Sequence, residues 1–233
     1  LAFAARRAEH EFVGTPCGIM DMLVSAAAEE GSALRIDCRD LEYESIPLPS
    51  EERLAFMLVD SGVAHRLADG GYAERRVACE RIVSILGRSL RDCRIDDLED
   101  PRIGDTPRRR ARHVIAEIAR VDAVISALRR DDLDTVGSIM LDGHRSLRDL
   151  FEVSVDELDQ IVESAASMVG DGCFGARMTG GGFGGSVIVL HRPSATNRVR
   201  DRIEADFMKR FGRRPDSMIV RPAAGARPCR PAP

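Results

Sequence analysis

The sequence predicts an α+β protein in which helices with one apolar face cover short strands. Apolar and polar residues alternate between positions 34 and 38, and LAFMLVD, residues 54–60, is almost wholly apolar, as in half-buried and buried strands. Elsewhere apolar residues recur every three or four positions, the period of amphipathic helices. Near the carboxy terminus the order helix, strand, strand, helix, strand is that of a ferredoxin-like unit.

Composition excludes several classes of protein. The chain has 233 residues, of which 44% are hydrophobic, enough for a packed core. Its formal net charge of -4 comes from acidic and basic residues mixed along the sequence, so we expect neither nucleic acid nor a membrane as partner. The six cysteines show no CxxC pair, which favours reduced thiols in a cytoplasmic protein.

Residues 1–50 form the first predicted domain. Residues 1–12 have a helical pattern, a Gly-Thr-Pro break follows, and a second helix ends at Gly31. The strand at 34–38 and a proline-bearing connection at 46–49 close this domain. Because Leu1 lies in what reads as the middle of a helix, we expect an amino-terminal portion to precede it.

Residues 51–233 form the second predicted domain. Helices are expected around 77–86, from Thr106-Pro107 to 128, from a capping box of Ser154 and Glu157 to 169, and around 199–207. Two strands flank a glycine turn between 175 and 190, and SMIVRP, residues 217–222, is the last strand.

Asp21 is a candidate general base. Its neighbours, including Met20, Met22 and Leu23, are apolar on nearly every side of the helix, which predicts a helix buried all round. A carboxylate held at a buried helix start can accept a hydroxyl proton. The residues alone leave open a second interpretation, in which the acid only complements the helix dipole.

A second candidate site is the glycine run, residues 180–185. Its predicted phosphate-contacting members are Gly180, Gly181, Gly182 and Gly184. Glycine permits backbone shapes closed to other residues and lets main-chain N–H groups approach an anion. A flexible hairpin turn explains the same run equally well. The run is not a GxxxxGK[ST] loop, and the chain contains none.

Four other side chains are candidates. Glu9 precedes a loop that returns the chain toward Asp21, so we expect the two carboxylates to share a pocket in which one holds magnesium, unless Glu9 is a solvated surface acid. Tyr72, expected in a loop, is either a partly buried anchor or a ring that covers the apolar face of a sugar. For His113 and His144 we expect structural hydrogen bonds.

Four blocks resemble, in order and spacing, the signature blocks of galactokinases, which are members of the GHMP sugar and metabolite kinases. The blocks are AEHEFVGTPCGIMD (8–21), DSGVAHRL with GYAERRVACE (60–80), HRSLRDLFEVSVDELD (144–159) and GARMTGGGFGG (175–185). The resemblance implies the two-domain GHMP kinase fold. Residues 1–50 would end a ribosomal-S5-like amino-terminal domain, and residues 51–233 would be a ferredoxin-like carboxy-terminal domain.

The resemblance also implies an activity, the ATP-dependent conversion of α-D-galactose to galactose 1-phosphate by a monomer that uses Mg²⁺. Asp21 matches the family's catalytic aspartate, which contacts the sugar and accepts the proton of its anomeric hydroxyl. Glu9 matches the magnesium-coordinating glutamate, and Tyr72 matches a tyrosine that contacts galactose. The glycine run lies in the family's third motif, beside the nucleotide.

Two departures from the family pattern leave alternatives open. Met22 stands where galactokinases usually have glutamine, which leaves room for another sugar such as N-acetylgalactosamine or arabinose. The family's first motif and its serine-rich phosphate loop have no counterpart here. We therefore expect the carboxy-terminal portion of a longer enzyme, inactive by itself, with a catalytically silent sugar sensor as the alternative.

Overall fold

The structure, a computed structural model, describes residues 1–14, 17–64 and 71–227, without the side chains of residues 71 and 72. The chain divides into two compact units. The first unit is Leu1–Ser50 together with the described residues that follow Val220, and the second unit is Glu51–Val220. Whether these units correspond to the two predicted family domains stays a prediction.

The first unit contains short helices and one hairpin. Its elements are α1 (Ala2–Ala8), a π-helical turn (Glu9–Val13), α2 (Met20–Ala27), β1 (Ser32–Ile36) and β2 (Tyr43–Pro47). The strands pair antiparallel, with Ser32 opposite Pro47. The predicted strand at 34–38 thus begins earlier, and Cys38 is exposed beyond its end. The predicted connection at 46–49 is wrong, because Pro47 ends a strand, a position that tolerates its missing N–H group.

Helix α2 is not buried all round, so that prediction was wrong. No residue between Met20 and Ala27 is buried, and Met20 remains 56% exposed. One side of α2 packs against α1 and against the returning chain, where the Gly225 and Ala226 amides donate to carbonyls of residues 28 and 25, both at 2.7 Å. Val24 of the same helix is also exposed, although the sequence of the helix is mostly apolar.

The second unit is built on a four-stranded antiparallel sheet. Its elements are β3 (Ala55–Asp60), α3 (Gly71–Leu86), α4 (Asp105–Arg129), α5 (Leu133–Ser146), a π-helical turn (Leu147–Phe151), α6 (Asp156–Ala166), β4 (Cys173–Met178), β5 (Ser186–His191), α7 (Thr196–Phe211) and β6 (Asp216–Val220). The spatial order is β4-β5-β3-β6, with antiparallel neighbours throughout. This is the order of a ferredoxin-like unit, so the predicted α+β fold class is confirmed.

Both faces of this sheet carry apolar cores because successive side chains of a strand point to opposite faces. On one face Met57 and Val59 of β3 pack with buried residues of α6 and α7, among them Phe207. On the other face Phe174 and Leu190 pack with residues of α4 and α5. In β3 only Met57 and Val59 are fully buried, fewer than predicted for LAFMLVD. Each large buried side chain contributes about 1.5–3 kcal/mol.

Helix starts were the least accurate sequence predictions. Helix α4 begins at Asp105, so Thr106 and its neighbouring proline lie inside the first turn, where proline's fixed φ suits a helix. The predicted capping box of α6 is wrong, because its N-cap is Val155, which makes no side-chain capping bond. The Ser154 hydroxyl instead donates to Asp159, at 2.6 Å.

Helix α5 and strand β4 touch through their backbones. A Cβ atom added to Gly137 would lie 1.9 Å from the Phe174 carbonyl oxygen, and one added to Gly175 would lie 2.2 Å from the Gly137 carbonyl oxygen. Only glycine at both positions allows this approach. The contact aligns α5 along β4, the strand that leads into the glycine run. Across the described ranges, no helix is both long and apolar enough to cross a lipid bilayer.

Candidate functional site

A cavity in the first unit contains both carboxylates that the sequence singled out. It has a volume of about 340 Å³. Its lining consists of Leu1, Ala2, Ala5, Glu9, Asp21, Met22, Ser25, Ala26 and Ala226. Among these residues only Glu9, Asp21 and Ser25 have polar side chains. The cavity is therefore an apolar cleft with two acids, and the predicted shared pocket of Glu9 and Asp21 is present.

The position of Glu9 follows from how α1 ends. Glu9 is the C-cap of α1, and the chain then widens into a π-helical turn that closes at Gly14 with φ of 76°, a left-handed conformation that suits glycine. On the far side of the break, the Cys17 carbonyl lies 2.7 Å from His10 Nε2. This contact links the π-helical turn to the described residues that precede α2. The sequence prediction missed His10, whose only signal was its place beside Glu9.

Asp21 lies in the first turn of α2 and is exposed. Neither its side chain nor that of Glu9 makes a hydrogen bond or ion pair with another residue that the structure describes. Their oxygen lone pairs are thus available to ligands.

Met22 and Ser25 complete the cavity next to Asp21. Met22 is half-buried and presents an apolar wall at the position where the family resemblance implies a glutamine. A thioether accepts hydrogen bonds only weakly and donates none, so this wall offers apolar contact and almost no hydrogen bonding. In the described ranges no three acidic, histidine or cysteine residues form a metal-binding cluster.

The glycine run lies in the second unit between β4 and β5. Positive φ angles occur at Gly180 (81°), Gly182 (88°), Gly184 (131°) and Gly185 (81°), so the backbone needs glycine at these positions. Phe183 also has a positive φ, 61°, a conformation that disfavours side chains. The run is therefore a defined, strained turn. The run connects the antiparallel strands β4 and β5, so the hairpin-turn interpretation and the phosphate-contact interpretation both stay predictions.

The members of the run have different surroundings. Gly180 and Gly181 are exposed, whereas Gly182 and Gly184 are buried. A Cβ atom on Gly182 would lie 2.4 Å from the Val153 carbonyl oxygen, and one on Gly184 would meet the Val63 carbonyl oxygen at the same distance. Backbone packing explains the buried glycines by itself. That any of these glycines contacts a nucleotide stays a prediction.

Two neighbouring segments hold the run in place. The Phe183 amide donates to the Val153 carbonyl at 2.7 Å, on one side of the run. On the other side, the fully buried Ser61 donates its hydroxyl to the Gly185 carbonyl at 2.7 Å, and the Gly185 amide donates to the Val63 carbonyl at 3.0 Å. These bonds fix the middle and the carboxy-terminal end of the run.

A pair of arginines, the partly buried Arg75 and the buried Arg110, supports the segment at residues 151–152 next to Phe183. Arg75 lies 5.3 Å from the Phe183 ring centroid and donates to the Phe151 and Glu152 carbonyls at 3.1 and 2.7 Å. Burial, followed by repulsion from Arg110, lowers the pKa of Arg75. The hydrogen bond from Arg110 lowers the pKa of Glu152, whose φ is +53°. Sequence analysis did not select these residues.

The remaining sequence candidates have simpler outcomes. Tyr72 is the second residue of α3, so its placement in a loop was wrong, and its side chain lies outside the described parts of the chain. His113 is buried, lies 2.8 Å from the Ser146 hydroxyl and stacks on Phe151. His144 is buried as well and bonds to Asp159. The predicted structural hydrogen bonds of both histidines are confirmed.

Comparison with known proteins gives one family match and a set of close relatives. Residues 124–209 match the family described as GHMP kinases C terminal. Galactokinase of Bos taurus is 45% identical over 209 residues, which are 88% of this chain and 53% of that protein. Galactokinase of Chloroflexus aurantiacus is 42% identical over 237 residues, covering 97% of this chain and 59% of that protein. The chain thus spans little more than half the length of these relatives.

Solved structures agree with the sequence comparison. The crystal structure of Lactococcus lactis galactokinase complexed with galactose matches with a TM-score of 0.89 and 25% identity, over 96% of this chain and 59% of that chain. Mevalonate kinase of L. major, in complex with R-mevalonate, matches with a TM-score of 0.58 at 20% identity, which shows a shared fold only. The predicted resemblance to galactokinases and the predicted GHMP kinase fold are confirmed.

Proposed function

We propose that this chain is the carboxy-terminal part of an ATP-dependent sugar kinase of the galactokinase type, which converts ATP and α-D-galactose to ADP and galactose 1-phosphate. The observation that carries the proposal is the cavity shared by Glu9 and Asp21. The identity of 41–45% to galactokinases and the match to a galactose-complexed galactokinase support the choice of reaction and sugar.

In the proposed reaction Asp21 is the general base. It takes the proton of the anomeric hydroxyl while the oxygen on C1 attacks the γ-phosphorus of ATP. The bond between that phosphorus and the bridging oxygen of ADP breaks, and the electron pair stays on ADP. Asp21 suits this role because its exposed carboxylate has no described hydrogen-bond partner to compete for the proton. Such general-base catalysis typically contributes about 100- to 10,000-fold in rate.

Glu9 is the proposed magnesium ligand. Mg²⁺ prefers oxygen ligands, keeps several waters, and usually takes one or two carboxylates together with phosphate oxygens of the substrate. A single unpartnered carboxylate beside the base satisfies that demand, so the residues present fit the ion. When bound, the ion offsets negative charge on the transferring phosphoryl group.

The second unit supplies the proposed nucleotide contact. The exposed Gly180 and Gly181 are the members of the glycine run best placed to approach a phosphate, since Gly182 and Gly184 are packed against backbone. Tyr72 is retained as a proposed sugar contact. The proposed location is the cytoplasm, supported by free thiols at each described cysteine, while Cys229 lies outside the described residues. The monomeric state stays a prediction.

Met22 favours one alternative, a kinase of this type for another sugar. An apolar wall beside the base removes hydrogen bonds that a glutamine would offer to sugar hydroxyls. A panel containing galactose, N-acetylgalactosamine and arabinose, assayed by coupled ADP release, distinguishes the two functions. Galactose should give the highest kcat/KM, and a higher value for either other sugar would replace the proposed acceptor.

The general-base role is tested by Asp21→Asn in the protein encoded by the complete gene. We expect kcat to fall about 100- to 10,000-fold, with the KM for ATP changed less than about threefold, because only proton transfer is lost. Asp40→Asn is the matched control, since Asp40 is an exposed acid of the same unit that does not line the cavity. Turnover within threefold of wild type in Asp21→Asn would remove Asp21 from this role.

A further inference from the structure

A chain of three polar side chains, one buried and two partly buried, lies next to the strand that leads into the glycine run. His144 of α5 is 2% exposed, and its Nε2 lies 2.9 Å from Asp159 Oδ1 of α6. The Ser154 hydroxyl donates to the same carboxylate oxygen at 2.6 Å. The sequence analysis assigned His144 only a structural bond, and the proposed kinase mechanism uses none of these three residues.

The hydrogen bonds determine which nitrogen of His144 carries the proton. The backbone N–H of Met178 donates to His144 Nδ1 at 3.3 Å, so Nδ1 must be unprotonated. Nε2 then carries the hydrogen and donates it to the carboxylate of Asp159. Burial alone would raise the pKa of Asp159, but the hydrogen bonds from His144 and Ser154 together with nearby positive charge, including that of Arg148, lower this pKa overall, which keeps the acceptor ionised.

The Met178 N–H group is at a position where a sheet cannot satisfy it. Among the described residues, strand β4 is at one edge of the four-stranded sheet and its ladder partner is β5, with one further bridge between Cys173 and Val169 at the other end of the strand. The amides of an edge strand alternate between the neighbouring strand and the open side, and the next amide, that of Thr179, donates to Ser186 of β5 at 2.9 Å. Met178 therefore points its N–H group away from β5, where His144 accepts it.

Met178 is also the last residue of β4, two residues before Gly180. Its side chain is 1% exposed, and its Cε atom would lie 3.1 Å from a Cβ atom added to Gly182. The strand end thus contacts the glycine run both through the backbone and through the side chain. A shift of Met178 at the edge of the sheet would displace the start of the run.

We propose that His144 is a positioning residue, which holds the end of β4 through its Nδ1 atom and so sets the orientation of the glycine run. Asp159 and Ser154 act through His144 by fixing its ring and its tautomer. Because the ring is buried, it acts on the backbone and does not touch a substrate. The consequence for nucleotide binding rests on the proposed function, whereas the hydrogen bonds and the geometry of the run do not.

Two substitutions of His144 each keep one of its two hydrogen bonds and remove the other. Asn in place of His144 offers an oxygen near the position of Nδ1 and can still accept from Met178, but it does not reach Asp159. Gln in place of His144 offers an amide near the position of Nε2 and can still donate to Asp159, but it leaves the Met178 N–H group without an acceptor. His191→Gln is the matched control, because His191 is fully buried on the same sheet at the opposite end of β5 from the run.

The experiment combines histidine NMR with amide hydrogen exchange, with and without MgADP. In the wild-type protein the His144 ring should show the tautomer with hydrogen on Nε2. In His144→Gln we expect amide exchange at residues 178–185 to accelerate about 3- to 10-fold beyond any global change, and we expect His144→Asn and His191→Gln to leave it near wild type. MgADP should protect residues 180–181 in the wild type and less so in His144→Gln.

Failure of this inference is distinct from failure of the proposed function. A hydrogen on Nδ1 in the wild type would overturn the positioning role even if His144→Gln does not fold. Equal exchange of residues 178–185, and equal protection by MgADP, in His144→Gln and His191→Gln would also overturn it. If the exchange changes as expected but MgADP protects the run in no variant, the positioning role stands and the proposed nucleotide contact fails.

Discussion

The two units of this chain differ in how they hold their candidate site residues. Among the described residues, the first unit has only Ala2, Ile19 and Ile46 as buried apolar residues, whereas the second unit has three apolar clusters. The first unit nevertheless has seven of the fourteen large apolar side chains that remain exposed, including Phe3 and Phe12. The acids Glu9 and Asp21 therefore lie in the unit with little core, and the glycine run lies in the densely packed one.

Because of this difference, substitutions that alter ligand binding and substitutions that alter global stability should fall in different units. The cavity of the first unit is shaped by short helices, one loop hydrogen bond and the returning chain, so changes there should alter ligand binding while global stability changes little. The run of the second unit is held by buried backbone contacts, so changes there should cost stability as well. Matched substitutions, one in each unit, test this contrast.

The largest difference is expected for a pair of phenylalanines. Phe207 is fully buried in the core under the sheet, and Phe12 is 94% exposed. Phe207→Ala should lower the free energy of unfolding by about 3–5 kcal/mol because it removes packed surface and leaves a cavity, and Phe12→Ala should change it by less than about 0.5 kcal/mol. Urea denaturation monitored by circular dichroism measures both. Equal losses would show that the two units do not differ in packing.

A pair of glycines should give the next largest difference. Gly137→Ala places a methyl group 1.9 Å from the Phe174 carbonyl oxygen and forces α5 away from β4, at a cost of about 3 kcal/mol that exceeds the gain of about 1 kcal/mol in helix propensity. At Gly18, in the first unit, an added Cβ would have no heavy atom within 4 Å and φ is not positive, so Gly18→Ala should be nearly neutral. Thermal unfolding measures the loss of stability in both variants. A Gly137→Ala variant as stable as the wild type would contradict the backbone contact.

A pair of histidines gives a pH-dependent difference. Burial lowers the pKa of His113 to about 4 from its ordinary 6.5. Between these values the unfolded chain binds more protons than the folded one, so the free energy of unfolding should fall as the pH drops from 6.5 to 4, by about 2–3 kcal/mol from this group. In His113→Gln the free energy of unfolding should no longer show this contribution to its fall between pH 6.5 and pH 4. His10→Gln, at an exposed position in the first unit, should leave it unchanged, and a dependence that survives in His113→Gln would exclude His113 as its source.

Sequence patterns were most informative where local periodicity and tertiary packing agree. The order of strands and helices after residue 150 was confirmed, because it follows from the period with which side chains meet a core. Helix α2 has the same apolar signal, yet the described residues leave it unburied, since periodicity shows which surface is apolar and not what covers it.

The candidate site, like the fold, was predictable from the sequence only in part. The return of the chain between Glu9 and Asp21 could be inferred from the break that starts at Gly14, and the structure brings both acids into one cavity. The role of Ser154 could not be inferred, because a serine three residues before a glutamate matches a capping box, and only the fold places Asp159 within its reach. The bond from Met178 to a histidine thirty-four residues away has no local signature at all.

The backbone contact between Gly137 and Gly175 has a consequence for how this gene can vary. Any change at the first or second base of a glycine codon introduces a side chain or a stop codon, and here the first atom of such a side chain would meet a carbonyl group on the opposite element. Neither position can be repaired by a change at its partner, because glycine is already the smallest residue. Among descendants of this gene that retain the fold, both codons should therefore differ only at their third base.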